Sequence, residues 1–327
     1  LWGAVILKKY IIKRLLWMIL VLLGVLFIVF VLLEFTPGDP ARQILGAFAD
    51  EADVAAKRLE LRLDDPFLVR FGRYVYNLVF HFDLGISYRT KLPVMQEIAA
   101  RFPITIAIGV LGLIVSVVIG LVTGIISAVK QYSWLDKICN VFAVIFHAMP
   151  NFWLALELSL IFALYLKWLP PTGYKGIKYL ILPVAALGLN GSTAIFRQVR
   201  SSMLDVIRED YIRTARAKGQ SEIKIILKHE LRNALMPVVT MVGNSLGAII
   251  AGSVVVESIF SIPGLGNYML QAINSRDYPV IQGSVFVLAF MICVFNLLTD
   301  IVYSFLDPQL QSQYQSKSNK KRRVKAE

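Results

Sequence analysis

Six stretches of this chain are apolar over a length that can cross a bilayer, which takes roughly 20 residues. They lie at about 15–33, 104–129, 138–166, 179–196, 234–256 and 280–299. Runs of this kind predict six transmembrane helices and an all-α integral membrane protein rather than a set of soluble domains. The second run carries no charge and places Gly120 four residues before Gly124, a spacing that lets two helices approach closely. The third holds Pro150, which predicts a kink, and Glu157 near its centre.

Polar segments of unequal length separate the runs. Thr36-Pro-Gly-Asp-Pro40 ends the first helix, and the stretch from there to 102 reads as an outer segment. Apolar residues at helical intervals predict short helices at 59–63 and 67–79, interrupted by Pro66 and Pro93. The segment 209–237 is the one long polar stretch of the second half. It reads as two short helices broken at Gly219, since glycine favours the position just past a helix end, while Ser221 and Glu222 open the next. In that second helix Ile223, Ile226, Leu227 and Leu231 share one face; Lys224, Lys228 and Arg232 share another. Ala215, Ala217 and Gly219 are small enough for another surface to come close. On pattern alone the same segment fits an amphipathic helix lying on lipid headgroups.

Composition agrees with a membrane protein: 57% of the 327 residues are hydrophobic and only 17% charged. The net charge of +12 invites a nucleic-acid reading, but its placement argues for topology instead. Lys8, Lys9, Lys13 and Arg14 precede the first run, Lys130 and Lys137 flank the break after the second, and a basic cluster, Lys320-Lys-Arg-Arg323, lies in the tail. With alternating spans all of these fall on one side, as do the cations of 197–232, which puts both termini in the cytoplasm. The tail is read as solvated rather than as a nuclear address or a lipid patch. The chain then divides into a cytoplasmic N-terminus 1–14, a first span 15–35, an extracytoplasmic segment 36–102, a five-helix core 103–308 and a basic cytoplasmic tail 309–327. Within the core lie an inner loop 197–233 and an outer loop 257–279. The first run is too long for a signal peptide and lacks a small-residue cleavage site, so a retained anchor is expected. The chain begins with Leu rather than Met, which leaves open a fragment or an unusual start codon. Cys139 and Cys293 each sit inside an expected span, as buried thiols and not as a disulfide framework.

Candidate chemistry is sparse. A carboxylate near mid-bilayer costs about 2.5–3.5 kcal/mol on insertion scales, so Glu157 should face the protein interior or a wet cavity. It either lines a substrate path or is an internally paired packing residue. Asn151, Asn244 and Asn296 raise the same question, as do His147, Asn190 and Asp300. No Gly-x-x-x-x-Gly-Lys-Ser/Thr phosphate loop is present, so the chain has no visible means of binding ATP itself. His81, His147 and His229 are too dispersed for a recognisable metal site. A membrane protease finds no support, and no enzymatic centre is expected.

Several stretches carry a resemblance. Tyr211-Ile-Arg-Thr-Ala-Arg-Ala-Lys-Gly219 with His229-Glu-Leu-Arg-Asn-Ala-Leu-Met-Pro237 is similar to the cytoplasmic loop of ABC-importer permeases, most closely the dipeptide/oligopeptide/nickel family. Glu257-Ser-Ile-Phe-Ser-Ile-Pro-Gly-Leu-Gly266 and Arg276-Asp-Tyr-Pro279 resemble that family's outer stretches, and weaker matches run from about 36 to 307. The general permease signature begins Glu-Ala-Ala, where this chain reads Arg213-Thr214-Ala215, so no role of that acid transfers.

The resemblance implies a type I importer permease fold of six spans. It also implies an ATPase-coupling loop built from Tyr211, Arg213, Ala215, Ala217, Gly219, Ser221, Glu222, His229, Arg232, Asn233 and Pro237. Glu257, Phe260, Pro263, Gly264, Gly266, Arg276, Asp277 and Tyr278 would face an external binding protein. The implied partners are a homologous second permease, two cytoplasmic ABC ATPases that hold the ATP and Mg, the binding protein and membrane lipid; nucleic acid is not among them. The cargo implied first is short peptides, with nickel or a nickel chelate as the alternative. A stand-alone channel or secondary carrier is the other class of function, although it would call for coupling acids in several spans.

Overall fold

The computed structural model describes residues 2–46 and 48–306, with side chains placed for 11–46 and 48–301. The expected basic tail 309–327 lies outside the described residues. The described chain is helical, and its only β pairing is an isolated bridge between Ile86 and Pro93.

A long rod, α1 (Trp2–Phe35), leads into three short outer helices, α2 (Pro40–Leu45), α3 (Glu51–Glu60) and α4 (Phe67–His81). Asp39 caps α2 by accepting from the Ala41 N–H at 3.0 Å, and Pro40 occupies the first turn, where its missing donor costs nothing. Phe27 and Phe30 of α1 meet Phe67 and Phe71 of α4 edge-on, so α4 lies against the far end of α1. The core then comprises α5 (Val94–Val129), α6 (Trp134–Ala148), α7 (Asn151–Ser159) with a π-helical turn at Leu160–Tyr165, and α8 (Ile181–Ile207). The polar segment holds α9 (Asp210–Ala217), the single turn α10 (Glu222–Lys224) and a second π turn at Ile225–Glu230. α11 (Leu231–Ile259), α12 (Leu265–Ser275) and α13 (Tyr278–Leu306) complete the described chain.

By length and apolar character, four helices among the described residues can cross a membrane, or five if the bent pair α6–α7 counts as one. The window at 179–196 does not reach that standard as a helix. α8 continues to Ile207 and carries Asn190, Ser192, Thr193 and Arg197, whose polarity dilutes the run. The third window is not one kinked helix either: α6 and α7 meet at 105°. Pro150 drives Met149 out of the helical region to φ −83°, ψ 121°. The carbonyls exposed by the break are then satisfied from outside, because Asn190 Nδ2 donates to Phe146 O at 3.0 Å and Met149 O at 2.8 Å.

Close approach of α5 to α8 organises the core. A Cβ placed on Gly120 would stand 2.7 Å from Ile195 Cβ, and one on Gly124 would stand 2.7 Å from Val199 Cβ. The glycine pair read from the sequence is therefore a helix contact. Ile195, Val199 and Met203 of α8 close over it together with Ala234 and Val238 of α11. Arg14, in the first half of α1, pairs with Asp300 near the end of α13 at 3.0 Å, which sets the first half of α1 beside the last turns of α13.

Candidate functional site

The polar segment 209–237 forms a folded elbow at the end of the bundle where α8 leaves and α11 begins. α9 buries Ile212 and Ala215 against Ile225. Gly219, at φ +74°, then reverses the chain, a conformation that favours glycine. The expected second short helix does not stand by itself. Glu222–Ile259 is one continuous rod, so the helix that carries the fifth apolar run starts well before residue 234.

The face of that rod that is buried is not the apolar face formed by Ile223, Ile226, Leu227 and Leu231. Ile225, Glu230, Ala234 and Val238 are buried, whereas Ile223 and Leu227 are 72% and 58% exposed. The π turn accounts for this, since its wider i→i+5 repeat puts Ile225 and Glu230 on one face before the ordinary four-residue spacing resumes.

Three side-chain ties hold α9 to the rod, and a fourth comes from Gln220 just past its end. Asn233 Nδ2 donates to the Tyr211 hydroxyl at 2.8 Å. His229 Nε2 lies 3.0 Å from Gln220 Oε1. Arg216 reaches Glu222 Oε1 at 3.0 Å and Glu230 Oε1 at 3.2 Å. Of the residues read from the sequence as coupling positions, Tyr211, Glu222, His229 and Asn233 are thus braces inside the elbow, and Ala215 is buried. Arg213, Ala217, Gly219, Ser221 and Arg232 lie at or near its surface, and Pro237 sits within α11. Arg216, Ile225 and Glu230 were not among the expected site residues; no local pattern marks an acid that is buried by an arginine 14 residues away.

At the opposite end α12 is held by side chains distant in sequence. Its first N–H groups need acceptors. Thr105 Oγ1 accepts from Leu265 N at 2.8 Å, and Glu257 Oε2 accepts from Gly266 N at 2.8 Å and Asn267 N at 3.1 Å. Gly266 packs so closely that an added Cβ would lie 2.5 Å from Val254 Cα. Asp277 takes the Ser87 hydroxyl at 2.5 Å and the N–H groups of Tyr88 and Arg89 at 3.1 and 3.2 Å, tying the outer segment to the turn before α13. Tyr268 donates to Glu97, with the Arg101 guanidinium 4.2 Å above its ring. Burial first, and then that neighbouring carboxylate, holds the Tyr268 phenol above its ordinary range, so it stays a neutral donor.

Of the residues expected to face outward here, Glu257, Phe260, Gly264, Gly266 and Asp277 are buried supports. Arg276 is half-buried and Pro263 is exposed; the outermost surface also includes Ser261, Gln271 and Ile273. Tyr278, at the start of α13, packs its ring near that of Tyr88, with centroids 6.5 Å apart.

The four residues expected along a path are spread over the bundle, and no hydrogen bond or ion pair joins any two of them. Glu157 is half-buried on α7, while Asn244 on α11 and Asn296 on α13 are exposed. Asn151 begins α7, with a buried Oδ1 that has no partner. Among the described residues no three His, Cys, Asp or Glu side chains are grouped to hold a metal ion.

Comparison with known proteins brings these parts together. Residues 120–312 match the family described as binding-protein-dependent transport system inner membrane component, and residues 7–109 match the N-terminal part of such membrane components. The chain is 40% identical to the dipeptide transport system permease protein DppB of Alkalihalophilus pseudofirmus, over 92% of this chain and 99% of that protein. It is 41% identical to the glutathione transport system permease protein GsiC of Salmonella paratyphi A, over 93% and 99%. A putative peptide transport system permease protein of Brucella abortus is 40% identical over 92% and 98%. Among solved structures, the MetNI methionine ABC transporter in an inward-facing conformation aligns with a TM-score of 0.57 and 19% identity, over 65% of this chain and 97% of that one.

Proposed function

The chain belongs to the family of binding-protein-dependent transport system inner membrane components, and from that premise we propose that it carries short peptides inward. It is a multi-pass inner-membrane permease of the ABC importer type. The named relatives favour peptides over nickel: they are dipeptide, peptide and glutathione permeases, and glutathione is itself a tripeptide. The proposed assembly pairs this chain with a homologous permease, two cytoplasmic ATPases that bind the ATP and Mg, and an external binding protein.

The elbow carries the mechanical part of the reading. α9 and the turn after it are offered at the end of the bundle yet tied by four side-chain contacts to the foot of a 38-residue rod. A push from an ATPase on α9 would tilt that rod, a rigid-body change of the bundle. Exposed Ile223 and Leu227, with Tyr211, supply apolar surface for the ATPase groove. Six traverses with both termini on the elbow side are supported by the Arg14–Asp300 pair and by the basic residues gathered at that end. The opposite end, with α12 and the outer segment locked together, would then receive the binding protein.

Co-expression with the ATPases and the second permease, purification and reconstitution into liposomes test this reading. ATP and the binding protein should both be required for uptake of a labelled dipeptide. Uptake by this chain alone, driven only by an ion gradient, would overturn it in favour of a carrier.

A further inference from the structure

Arg197 sits on a helix rather than in a loop. Taken from the sequence as the first residue of the inner loop, it lies instead ten residues, about 15 Å, inside the end of α8. Its neighbour Arg200, one turn nearer that end, is paired with Asp136 at 3.1 Å and with Ser127 at 2.9 Å. Arg197 has no acid within ion-pair distance among the described residues. Its Nη2 lies 3.4 Å from each ring nitrogen of His147 on α6, and Thr193 Oγ1 lies 3.4 Å from His147 Nδ1. Both Arg197 and His147 are exposed on the single chain.

These two are part of a longer feature. Asn190, Arg197, Ser201, Asp205 and Arg208 recur at helical spacing along one face of α8. The last four line a largely polar cavity of about 430 Å³ that leads from Arg197 toward the elbow end. A polar stripe with an unpaired guanidinium does not belong against hydrocarbon; beside water it is ordinary.

We infer that this stripe faces the peptide route and that Arg197 is a station for the carboxylate of the passing peptide, with His147 and Thr193 positioning the guanidinium. Every free peptide ends in a carboxylate, and a guanidinium offers it two parallel donors in a fixed fork. With Arg200 already committed to Asp136, Arg197 is the arginine of the stripe farther from the elbow end of α8 and without an acid partner among the described residues. The inference rests on the peptide-import reading above.

The test uses the reconstituted importer with binding protein and ATPases. Uptake of a dipeptide and of its C-terminal amide is compared, each corrected for its affinity for the binding protein. Wild type should favour the free acid, Arg197→Gln should lower that preference by roughly tenfold or more, and Arg197→Lys should keep part of it. Because Arg197→Gln could fail to assemble, Arg197→Cys is made with Cys139 and Cys293 replaced by Ser and is treated with a membrane-impermeant cationic thiol reagent. Labelling that slows during dipeptide turnover supports the route. Absence of labelling would mean that Arg197 meets lipid phosphate or the second permease, and would overturn the inference. So would an unchanged acid-to-amide preference in Arg197→Gln. Failure of wild type to take up any peptide would sink the function reading instead, so the two failures are distinguishable.

Discussion

Arg216 of α9 and Glu230, the last residue of the π turn before α11, meet across the elbow, guanidinium Nη2 to carboxylate Oε1 at 3.2 Å. Glu230 is fully buried, and its second oxygen has no partner. The same guanidinium holds Glu222 at 3.0 Å, so one side chain spans the start of the rod and its π turn. In the proposed coupling role, a joint of this kind would transmit displacement because its parts are tied together. Its strength comes from burial of the acid, since exposed ion pairs contribute little.

Replacing Arg216 with Ala should strand the Glu230 carboxylate at a cost of about 1–3 kcal/mol. In the assembled importer, ATP hydrolysis should persist while uptake per ATP falls several-fold. The double change Arg216→Ala with Glu230→Ala removes the stranded charge, so thermal stability should recover while uptake per ATP stays low. Melting of the purified complex together with coupled uptake assays checks both halves; normal uptake per ATP in the single variant would show that the joint does not transmit force.

The glycine contact between α5 and α8 makes a sharper stability prediction. A Cβ on Gly124 would lie 2.7 Å from Val199 Cβ and 3.1 Å from Phe196 O, a backbone atom that cannot move alone. Gly124→Ala should therefore destabilise the complex by about 1–3 kcal/mol. Gly24→Ala is the control: no atom lies within 4 Å of its added Cβ, so helix propensity should leave it neutral or slightly stabilised. Thermal aggregation in detergent reads the difference, and equal melting of the two variants would refute close packing at Gly124.

These relationships differ in how far the sequence announced them. Hydropathy located α1, α5, α11 and α13 because each carries a nearly unbroken apolar run, and the break at Gly219 was legible because a left-handed residue there calls for glycine. Pro150 announced a bend but not its size, because the 105° break is stabilised by Asn190 from another helix. The face of the elbow that is buried could not be read from the spacing for a related reason. A π turn shifts helical phase by one residue and leaves no residue signature, so ordinary spacing put Ile223 and Leu227 on one face with Ile226 and Leu231 while the structure buries Ile225 and Glu230. Arg197 looked like a loop cation because polar residues diluted the apolar run of α8 before the helix itself ended. Long-range caps such as Thr105 on Leu265, 160 residues apart, have no local pattern at all.

Asp277 ties the outer segment by three donors, Ser87 Oγ, Tyr88 N and Arg89 N. Asp277→Ala leaves them without their acceptor, so the segment 87–93 should become open to protease in right-side-out vesicles. Basal ATP hydrolysis should remain near wild type, because the elbow lies at the other end, while stimulation by the binding protein should drop several-fold. Unchanged protease resistance would mean that the bridge between Ile86 and Pro93 is enough to hold the segment.

Glu257 poses the most discriminating case, because charge and geometry can be separated there. Its Oε2 takes both backbone donors of α12, while Oε1 faces the Ser253 hydroxyl at 3.4 Å. In Glu257→Gln the amide oxygen can occupy the first position and the NH₂ group the second, with Ser253 as acceptor. That variant should stay within about 1 kcal/mol of wild type, since hydrogen bonding to a neutral acceptor replaces a charge-assisted one. Glu257→Ala removes the acceptor and leaves a buried N–H at Gly266 and a half-buried one at Asn267 unpaired, which should cost roughly 1–3 kcal/mol. Stimulation of ATP hydrolysis by the binding protein should follow the same order, retained in Gln and lost in Ala. Equal losses in both variants would show that the negative charge, through the α12 dipole, matters more than the two bonds. Equal retention would show that Thr105 alone is enough to anchor the helix start.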